Sequence, residues 1–337
     1  MRYRRLGRSG LMVSEIGLGS WLTYGTAVTE DVAKACVHRA FDLGVNFFDT
    51  ANEYGAGKAE ETLGSILSSF PRSSYVLATK VYWPMGDGPN DWGLSRKHVT
   101  EQLHASLARL GVDYVDLYQC HRFDTQRPLE ETLSTMNDLV RRGDVLYWGV
   151  SEWTADQIAE AVAICRREGW EEPRSNQPMY NPLWRSIERG VMPVCETLGL
   201  GLVVFSPLAL GVLSGKYLSP DSVPAESRAA GPPIAFYSEQ DEWKDLPFFR
   251  QPVLDAVQRL KPVAEKANCT VAQLSLAWIL RSSAVSSVIT GASRVTQVED
   301  NAAASDLEVD PALLEEVSEI LRPVADFTSP TMPNMDD

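Results

Sequence analysis

Eight short apolar segments, separated by longer amphipathic ones, are the feature that most restricts the fold of this 337-residue chain. Most are rich in β-branched or aromatic residues, and they are continuously apolar rather than alternating. Such runs are typical of parallel strands that are buried on both faces of a sheet. The expected strands are Ser14–Ser20, Asn46–Asp49, Tyr75–Val81, Tyr114–His121, Val145–Ser151, Ser175–Tyr180, Leu202–Ser206 and Ser287–Gly291.

Amphipathic patterns of helical length lie between these strands. Ser95 precedes one of them as a plausible cap, and Pro128 opens another, where proline suits the first turn. The expected helices are Thr29–Leu43, Lys58–Leu67, Ser95–Leu110, Pro128–Arg142, Thr154–Arg167, Ile187–Leu198, Gln251–Ala267, Val271–Arg281, Val295–Ala303 and Pro311–Leu321. Eight strand–helix units predict a closed (β/α)8 TIM barrel. The alternative is an open doubly wound sheet, although no GxGxxG motif follows the first strand.

Two further segments extend this pattern. Residues Tyr3–Val13 contain GRSG and indicate a β-hairpin that plugs the barrel floor. Residues Leu213–Phe249 are rich in Pro, Gly, Ser and charge, and predict a long loop between the seventh and eighth strands. We expect residues 1–337 to form a single domain.

The charge and cysteine content exclude several classes of protein. A net charge of -14 disfavours binding to the phosphate backbone of nucleic acids. The sequence contains no apolar run long enough for a membrane helix and no secretory signal. Five scattered cysteines without a CxxC pair indicate free thiols in a reducing compartment, and we expect a cytoplasmic protein. With four histidines and no cysteine pair, we expect no bound metal.

Four residues at successive strand ends suggest acid–base chemistry. Asp49, Lys80 and His121 end the second, third and fourth expected strands, and Tyr54 follows Asp49 closely. A lysine close to a tyrosine favours the phenolate and lowers the pKa of the phenol. A tyrosine tuned in this way can protonate a carbonyl oxygen, which histidine can orient. Each residue alone has a plainer explanation in packing, capping or surface charge, and spacing alone leaves the function open.

Several ordered motifs resemble those of the aldo-keto reductase superfamily over nearly the whole chain. The segment Phe47–Gly64 (FFDTANEYGAGKAEETLG) is similar to its second-strand signature. Five other segments resemble its lysine, histidine and cofactor-binding motifs: VLATKV, YVDLYQCHR, NQPMYNPL, FSPLALGVLSGKY and ITGASRVTQVEDN. The resemblance is greatest to the branch that contains the voltage-gated potassium channel β subunits and related bacterial reductases.

The resemblance implies a catalytic tetrad and a set of residues that contact NADP(H). The tetrad residues are Asp49, Tyr54, Lys80 and His121. The implied cofactor contacts are Ser20, Trp21, Asp49, Ser151, Gln177, Phe205, Ser206, Pro207, Leu208, Gly211, Lys216, Arg228, Gly291, Ser293, Arg294, Gln297, Asp300 and Asn301, with Asn176 as a possible helper. Within this set, Ser293 and Arg294 near a helix start suit a 2′-phosphate, which favours NADPH over NADH.

The expected substrate is a small aldehyde or ketone that is reduced to an alcohol. We expect it to contact Trp21, Tyr54, Tyr82, Trp83 and His121. The channel relatives carry asparagine where this chain has His121, which favours a working reductase here. Two alternatives stay open: an NADPH-binding regulatory module with slow turnover, and a Schiff-base lyase that uses Lys80 as nucleophile. A homo-oligomer is possible.

Overall fold

An antiparallel hairpin begins the fold. The computed structural model describes residues 1–328, except residues 22, 26, 222, 226 and 231–245 and the side chain of Arg228. Strands β1 (Tyr3–Arg5) and β2 (Met12–Ser14) pair as predicted. The turn between them requires Gly7, which has a φ of 56°, and a Cβ at this position would lie 2.3 Å from the carbonyl oxygen of Gly199.

A closed barrel of eight parallel strands follows the hairpin, which confirms the predicted TIM barrel. Each of the eight expected runs overlaps a strand, and each strand pairs with the next along the chain until the last one pairs with the first. The strands are β3 (Ile16–Gly19), β4 (Phe47–Asp49), β5 (Val76–Val81), β6 (Val115–Cys120), β7 (Val145–Ser151), β8 (Ser175–Gln177), β9 (Gly201–Val204) and β10 (Val285–Thr290).

Helices pack around the barrel. Ser95 caps its helix as predicted, with its Oγ accepting from the backbone N–H of His98 at 3.2 Å. The helices are α1 (Glu30–Asp42), α2 (Lys58–Leu67), α3 (Arg96–Leu110), α4 (Leu129–Arg142), α5 (Ala155–Glu168), α6 (Val191–Leu198), α7 (Gln251–Gln258), α8 (Lys261–Lys266), α9 (Val271–Leu280), α10 (Val295–Ala303) and α11 (Pro311–Leu321).

Two predicted helices are wrong in extent. The expected helix Gln251–Ala267 is broken between α7 and α8, because Pro262 has no N–H and its ring would clash with the carbonyl of residue 258. The expected helix Ile187–Leu198 becomes α-helical only at Val191, after a short 3-10 turn at Ser186–Arg189. In the predicted loop Leu213–Phe249, the described residues form only turns and 3-10 segments, and residues 231–245 lie outside the described part.

The barrel interior has an apolar lower layer and a polar upper layer. Because side chains alternate along a strand, residues two apart share the inner face. The lower layer packs against Leu6 and Val13 of the hairpin and includes Phe47, Ala78 and Leu117. Two positions later on the same three strands come Asp49, Lys80 and Gln119, all buried. The hairpin therefore closes the floor, and polar groups collect at the carboxyl ends of the strands.

A buried ion-pair network fastens the hairpin to the floor. The carboxylate of Glu15 accepts from Nε of Arg4 at 2.7 Å, from Nε of Arg2 at 3.1 Å and from Oγ of Ser305 at 2.9 Å. The Arg4 guanidinium also donates to three carbonyl oxygens, those of Leu280, Ser282 and Val285. The carboxylate of Glu15 and the guanidinium groups of Arg2 and Arg4 therefore all have hydrogen-bond partners in this network.

None of the helices in the described part of the chain combines the length and the apolar character that crossing a membrane would require.

Candidate active site

Three of the predicted catalytic residues meet in one hydrogen-bonded group. Lys80, on β5, is fully buried, and its Nζ donates to Oδ1 of Asp49 at 2.5 Å and to the hydroxyl of Tyr54 at 3.3 Å. A third donation, to the carbonyl oxygen of Thr50 at 2.8 Å, fixes the direction of the ammonium. Asp49 ends β4 and Tyr54 lies in the following loop, so neighbouring strands bring these groups together.

Amide side chains hold the second oxygen of Asp49. Its Oδ2 accepts from Nε2 of Gln177 at 3.0 Å and lies 3.5 Å from Nε2 of Gln119. Both oxygens of the carboxylate are thus engaged, which lets a charged group remain in the barrel interior. Gln177 is therefore connected to Tyr54 through Asp49 and Lys80.

His121, the fourth predicted catalytic residue, follows β6 and faces the phenol. The rings of His121 and Tyr54 are 5.8 Å apart between centroids and nearly perpendicular. Burial, together with the charges of Lys80 and Arg122, lowers the pKa of His121 well below its usual value. The imidazole is therefore neutral at physiological pH, which suits a hydrogen-bonding rather than a cationic role.

The pKa of Tyr54 differs from the sequence-based expectation. Burial, helped by the charges of Asp49 and Glu53, raises the pKa of this phenol well above its ordinary value. The expected depression by Lys80 is wrong as the net effect, because desolvation of the phenolate outweighs the nearby ammonium. The phenol therefore keeps its proton at neutral pH, the form needed to protonate a substrate oxygen. Burial also lowers the pKa of Lys80, which Asp49 opposes.

The aromatic side chains near His121 and Tyr54 differ in how far they are exposed. Trp83 lies 6.2 Å from the imidazole and Trp21 lies 6.5 Å from the phenol, measured between ring centroids, and both tryptophans are partly exposed. Tyr82, in contrast, is fully buried and packs edge-on against Trp83 at 5.2 Å. Tyr82, an expected substrate contact, therefore has its ring packed against Trp83 in this structure.

Residues expected near a nicotinamide gather on β7 and β8. Ser151 and Gln177 are in register, and the Ser151 hydroxyl donates to the Gln177 carbonyl oxygen at 2.8 Å. Asn176 points the other way, because strand side chains alternate, toward Cys195 on α6. Asn176 is therefore not placed to assist Gln177.

A strained turn follows β9. Phe205 is half-buried, and Ser206 has a φ of 50°, with its carbonyl oxygen accepting from Nδ2 of Asn181 at 2.9 Å. Pro207 is buried and Leu208 half-buried before a 3-10 turn in which Gly211 has a φ of 94°. A Cβ at Gly211 would lie 3.0 Å from Nζ of Lys216. Positive-φ turns beside an ammonium are typical of phosphate-binding loops.

The segment expected at the adenosine end forms the start of α10. Gly291, Ser293 and Arg294 are exposed, and Arg294 is the N-cap residue of this helix. Oε1 of Gln297 accepts from both the backbone N–H and the hydroxyl of Ser293, at 2.8 and 3.2 Å. A guanidinium and a hydroxyl at a helix N-terminus are a donor set that fits a phosphate.

Three other expected cofactor residues have side chains that are buried or hydrogen-bonded within the protein. Asp300 accepts from the hydroxyl of Thr270 at 3.3 Å, so its carboxylate is tied to α9, while Asn301 is buried. Ser20 is buried and donates to the Thr50 hydroxyl at 2.8 Å. The side chain of Arg228 lies outside the described part of the chain.

Sequence reasoning missed several side chains around the tetrad. Glu53 precedes Tyr54 in the motif, and its Oε1 lies 3.8 Å from Nδ1 of His121. Gln119 lies two residues before His121, and because residues two apart on a strand share a face, its position on the inner face could have been predicted. Arg122, directly after His121, is buried and donates to the His121 carbonyl oxygen at 2.6 Å. Adjacency to the motif residues was the available signal for all three.

A parallel barrel with a buried lysine–aspartate pair beside a tyrosine at its strand ends has the arrangement expected of an aldo-keto reductase. The sequence model of the Aldo/keto reductase family matches residues 15–322, and the chain belongs to this family.

Three relatives of this chain have closely related names. The chain is 43% identical over 322 residues to "Probable voltage-gated potassium channel subunit beta" of Oryza sativa subsp. japonica. This alignment covers 94% of this chain and 94% of the relative. A protein of the same name in Arabidopsis thaliana is 41% identical over 96% of this chain and 97% of its own. "Putative voltage-gated potassium channel subunit beta" of Schizosaccharomyces pombe is 40% identical over 95% and 93%.

Proposed function

We propose that this protein reduces small aldehydes and ketones to alcohols with NADPH, and that Tyr54 is the general acid. The observation that carries the proposal is the position of Nζ of Lys80, which contacts both Oδ1 of Asp49 at 2.5 Å and the Tyr54 hydroxyl at 3.3 Å. A neutral phenol beside a buried ammonium can give its proton away, because the ammonium stabilises the phenolate that remains.

Each residue of the group has a distinct task in this proposal. NADPH, when bound, supplies the hydride that goes to the carbonyl carbon. Tyr54 donates its proton to the carbonyl oxygen, and the neutral His121 orients that oxygen by a hydrogen bond. Asp49 keeps Lys80 charged and aimed at the phenol. In the oxidative direction, the phenolate of Tyr54 takes the proton back.

The donor groups near Lys216 and at the start of α10 fit a phosphorylated dinucleotide. Ser293 and Arg294 at the start of α10 suit the 2′-phosphate, and the turn at Gly211 beside Lys216 suits the pyrophosphate. Ser151 and Gln177 lie beside the tetrad, where they would hold the nicotinamide amide. Family membership supports the same cofactor class, since aldo/keto reductases use NAD(P)H.

A second candidate is a regulatory module that binds NADPH and turns over slowly. The names of the three relatives, which describe channel β subunits, favour it. Tight NADPH binding without measurable consumption of any carbonyl would support this candidate over the reductase.

The deciding experiment measures NADPH oxidation with 4-nitrobenzaldehyde and with methylglyoxal, in the wild type and in Tyr54→Phe. We expect Tyr54→Phe to lose about a thousandfold in kcat/KM, because the proton donor is gone while the ring is kept. Equal activity in the two proteins would remove Tyr54 from its assigned role. Repeating the wild-type assay with NADH tests the cofactor preference, and a lower kcat/KM for NADH is expected.

A further inference from the structure

Glu53 places a carboxylate beside the reacting groups without belonging to the tetrad. Its side chain is 21% exposed, and its Oε1 is 3.8 Å from Nδ1 of His121, too far for a hydrogen bond. It directly precedes Tyr54 and is close enough to raise the pKa of that phenol, after burial and Asp49. A substrate carbonyl positioned between Tyr54 and His121 would therefore lie within the field of this carboxylate.

The other charges around Glu53 largely cancel. Lys80 pairs with Asp49, and Glu60 on α2 pairs with Arg109 at 2.6 Å. Burial lowers the pKa of Arg122, and the carboxylate of Glu152 is the strongest influence that opposes this. His121 and Tyr54 are neutral. Counted together, the cations Lys80, Arg109 and Arg122 equal the carboxylates Asp49, Glu60 and Glu152 in number, so an ionised Glu53 leaves one net negative charge among these groups.

We propose that Glu53 is a specificity-determining residue whose ionised carboxylate disfavours carbonyl substrates that carry a negative charge next to the reacting carbonyl. Like charges in a partly desolvated site repel each other more strongly than in water. The site thereby selects neutral carbonyl compounds over 2-oxo acids. This inference rests on the proposed reductase activity.

The selection depends on pH in a defined direction. Burial raises the pKa of Glu53 to about 7, although Lys80 and Arg122 lower it and Glu60 raises it further. Above this value the carboxylate is charged and repels an anionic substrate. Below it, Glu53 is neutral and the repulsion disappears, while a 2-oxo acid stays ionised.

The test compares phenylglyoxylate with its methyl ester, which keeps the shape around the ketone but removes the charge. We measure the ester-to-acid ratio of kcat/KM with NADPH in the wild type, in Glu53→Gln and in Glu61→Gln. Glu61, exposed on α2, is the matched control for losing one carboxylate. The ester in each protein serves as the reference for any general loss of activity.

At a pH above 7, where Glu53 is ionised, we expect Glu53→Gln to lower the ester-to-acid ratio about tenfold, the size of one partly screened charge interaction. Glu61→Gln should keep the wild-type ratio. In the wild type the ratio should also fall as the pH is lowered through about 7, and in Glu53→Gln it should not. The same ratio in Glu53→Gln and wild type, or a wild-type ratio that is flat with pH, overturns the proposal.

Other outcomes separate this inference from the proposed function. Where Glu53→Gln is inactive with both compounds, the wild-type pH profile decides. Where the wild type reduces 4-nitrobenzaldehyde but neither compound, their inhibition constants against that reaction supply the same ratio. If none of the carbonyl compounds tested is reduced by the wild type with NADPH, the proposed function fails and this inference fails with it. Reduction of the ester with a ratio independent of Glu53 refutes only the role of Glu53.

Discussion

The mouth and the floor of the barrel each hold a buried carboxylate paired with a cation, but the two sites differ in what is left unsatisfied. At the floor, Glu15 accepts from two arginines and a serine, and the Arg4 guanidinium also donates to three carbonyl oxygens. At the mouth, Nδ1 of His121 is buried and has no hydrogen-bond partner among the described residues. A fully matched network stabilises a fold, whereas unmatched polar groups are available to a ligand.

The comparison predicts that a charge removed at the mouth costs activity and that one removed at the floor costs stability. Lys80→Met gives the largest expected effect, a loss of about a thousandfold in kcat/KM, because the phenol loses its cation and Asp49 its partner. Steady-state NADPH oxidation measures it. Lys80→Met also leaves the buried carboxylate of Asp49 unpaired, which lowers stability, and the double variant Lys80→Met/Asp49→Asn should recover that stability but not the activity. Activity of Lys80→Met within tenfold of the wild type would refute the assigned role.

Glu15→Gln should have the opposite profile. We expect the free energy of unfolding to fall by about 2–3 kcal/mol, because the buried Glu15 loses its charge and Arg4, which is 25% exposed, loses its charged acceptor. Urea denaturation measures this, and kcat/KM should stay within about twofold of the wild type. The exposed Glu308 is the control position for the same substitution. A Glu15→Gln protein that folds normally but is inactive would break the contrast between floor and mouth.

Arg2→Ala is expected to have the smallest effect. The Arg2 side chain is 51% exposed, so we expect a loss of about 0.5 kcal/mol in the free energy of unfolding. Arg4→Ala, at a side chain that is 25% exposed and bonded to four acceptors, should cost clearly more. Equal losses for the two variants would mean that exposure does not set the strength of the floor network.

Much of the fold could be read from the sequence because its signals are local. The eight apolar runs each became a strand, and α2 and α10 have the predicted bounds, since helical periodicity and caps depend on nearby residues. Pro262 is an equally local signal for a helix break, and the prediction of one continuous helix over Gln251–Ala267 did not take it into account. The strand-end rule likewise brought Asp49, Lys80 and His121 to one end of the barrel.

The sequence by itself determined the barrel, its family and which residue types would meet at the strand ends, because apolar runs, helical periodicity and the order of motifs are local features of the chain. Only the tertiary structure decided how these groups behave. The raised pKa of Tyr54, the burial of Tyr82 beneath Trp83 and the closeness of Glu53 to His121 depend on packing and distance among separate strands and loops. Desolvation is a property of the whole assembled site, and no local pattern encodes it.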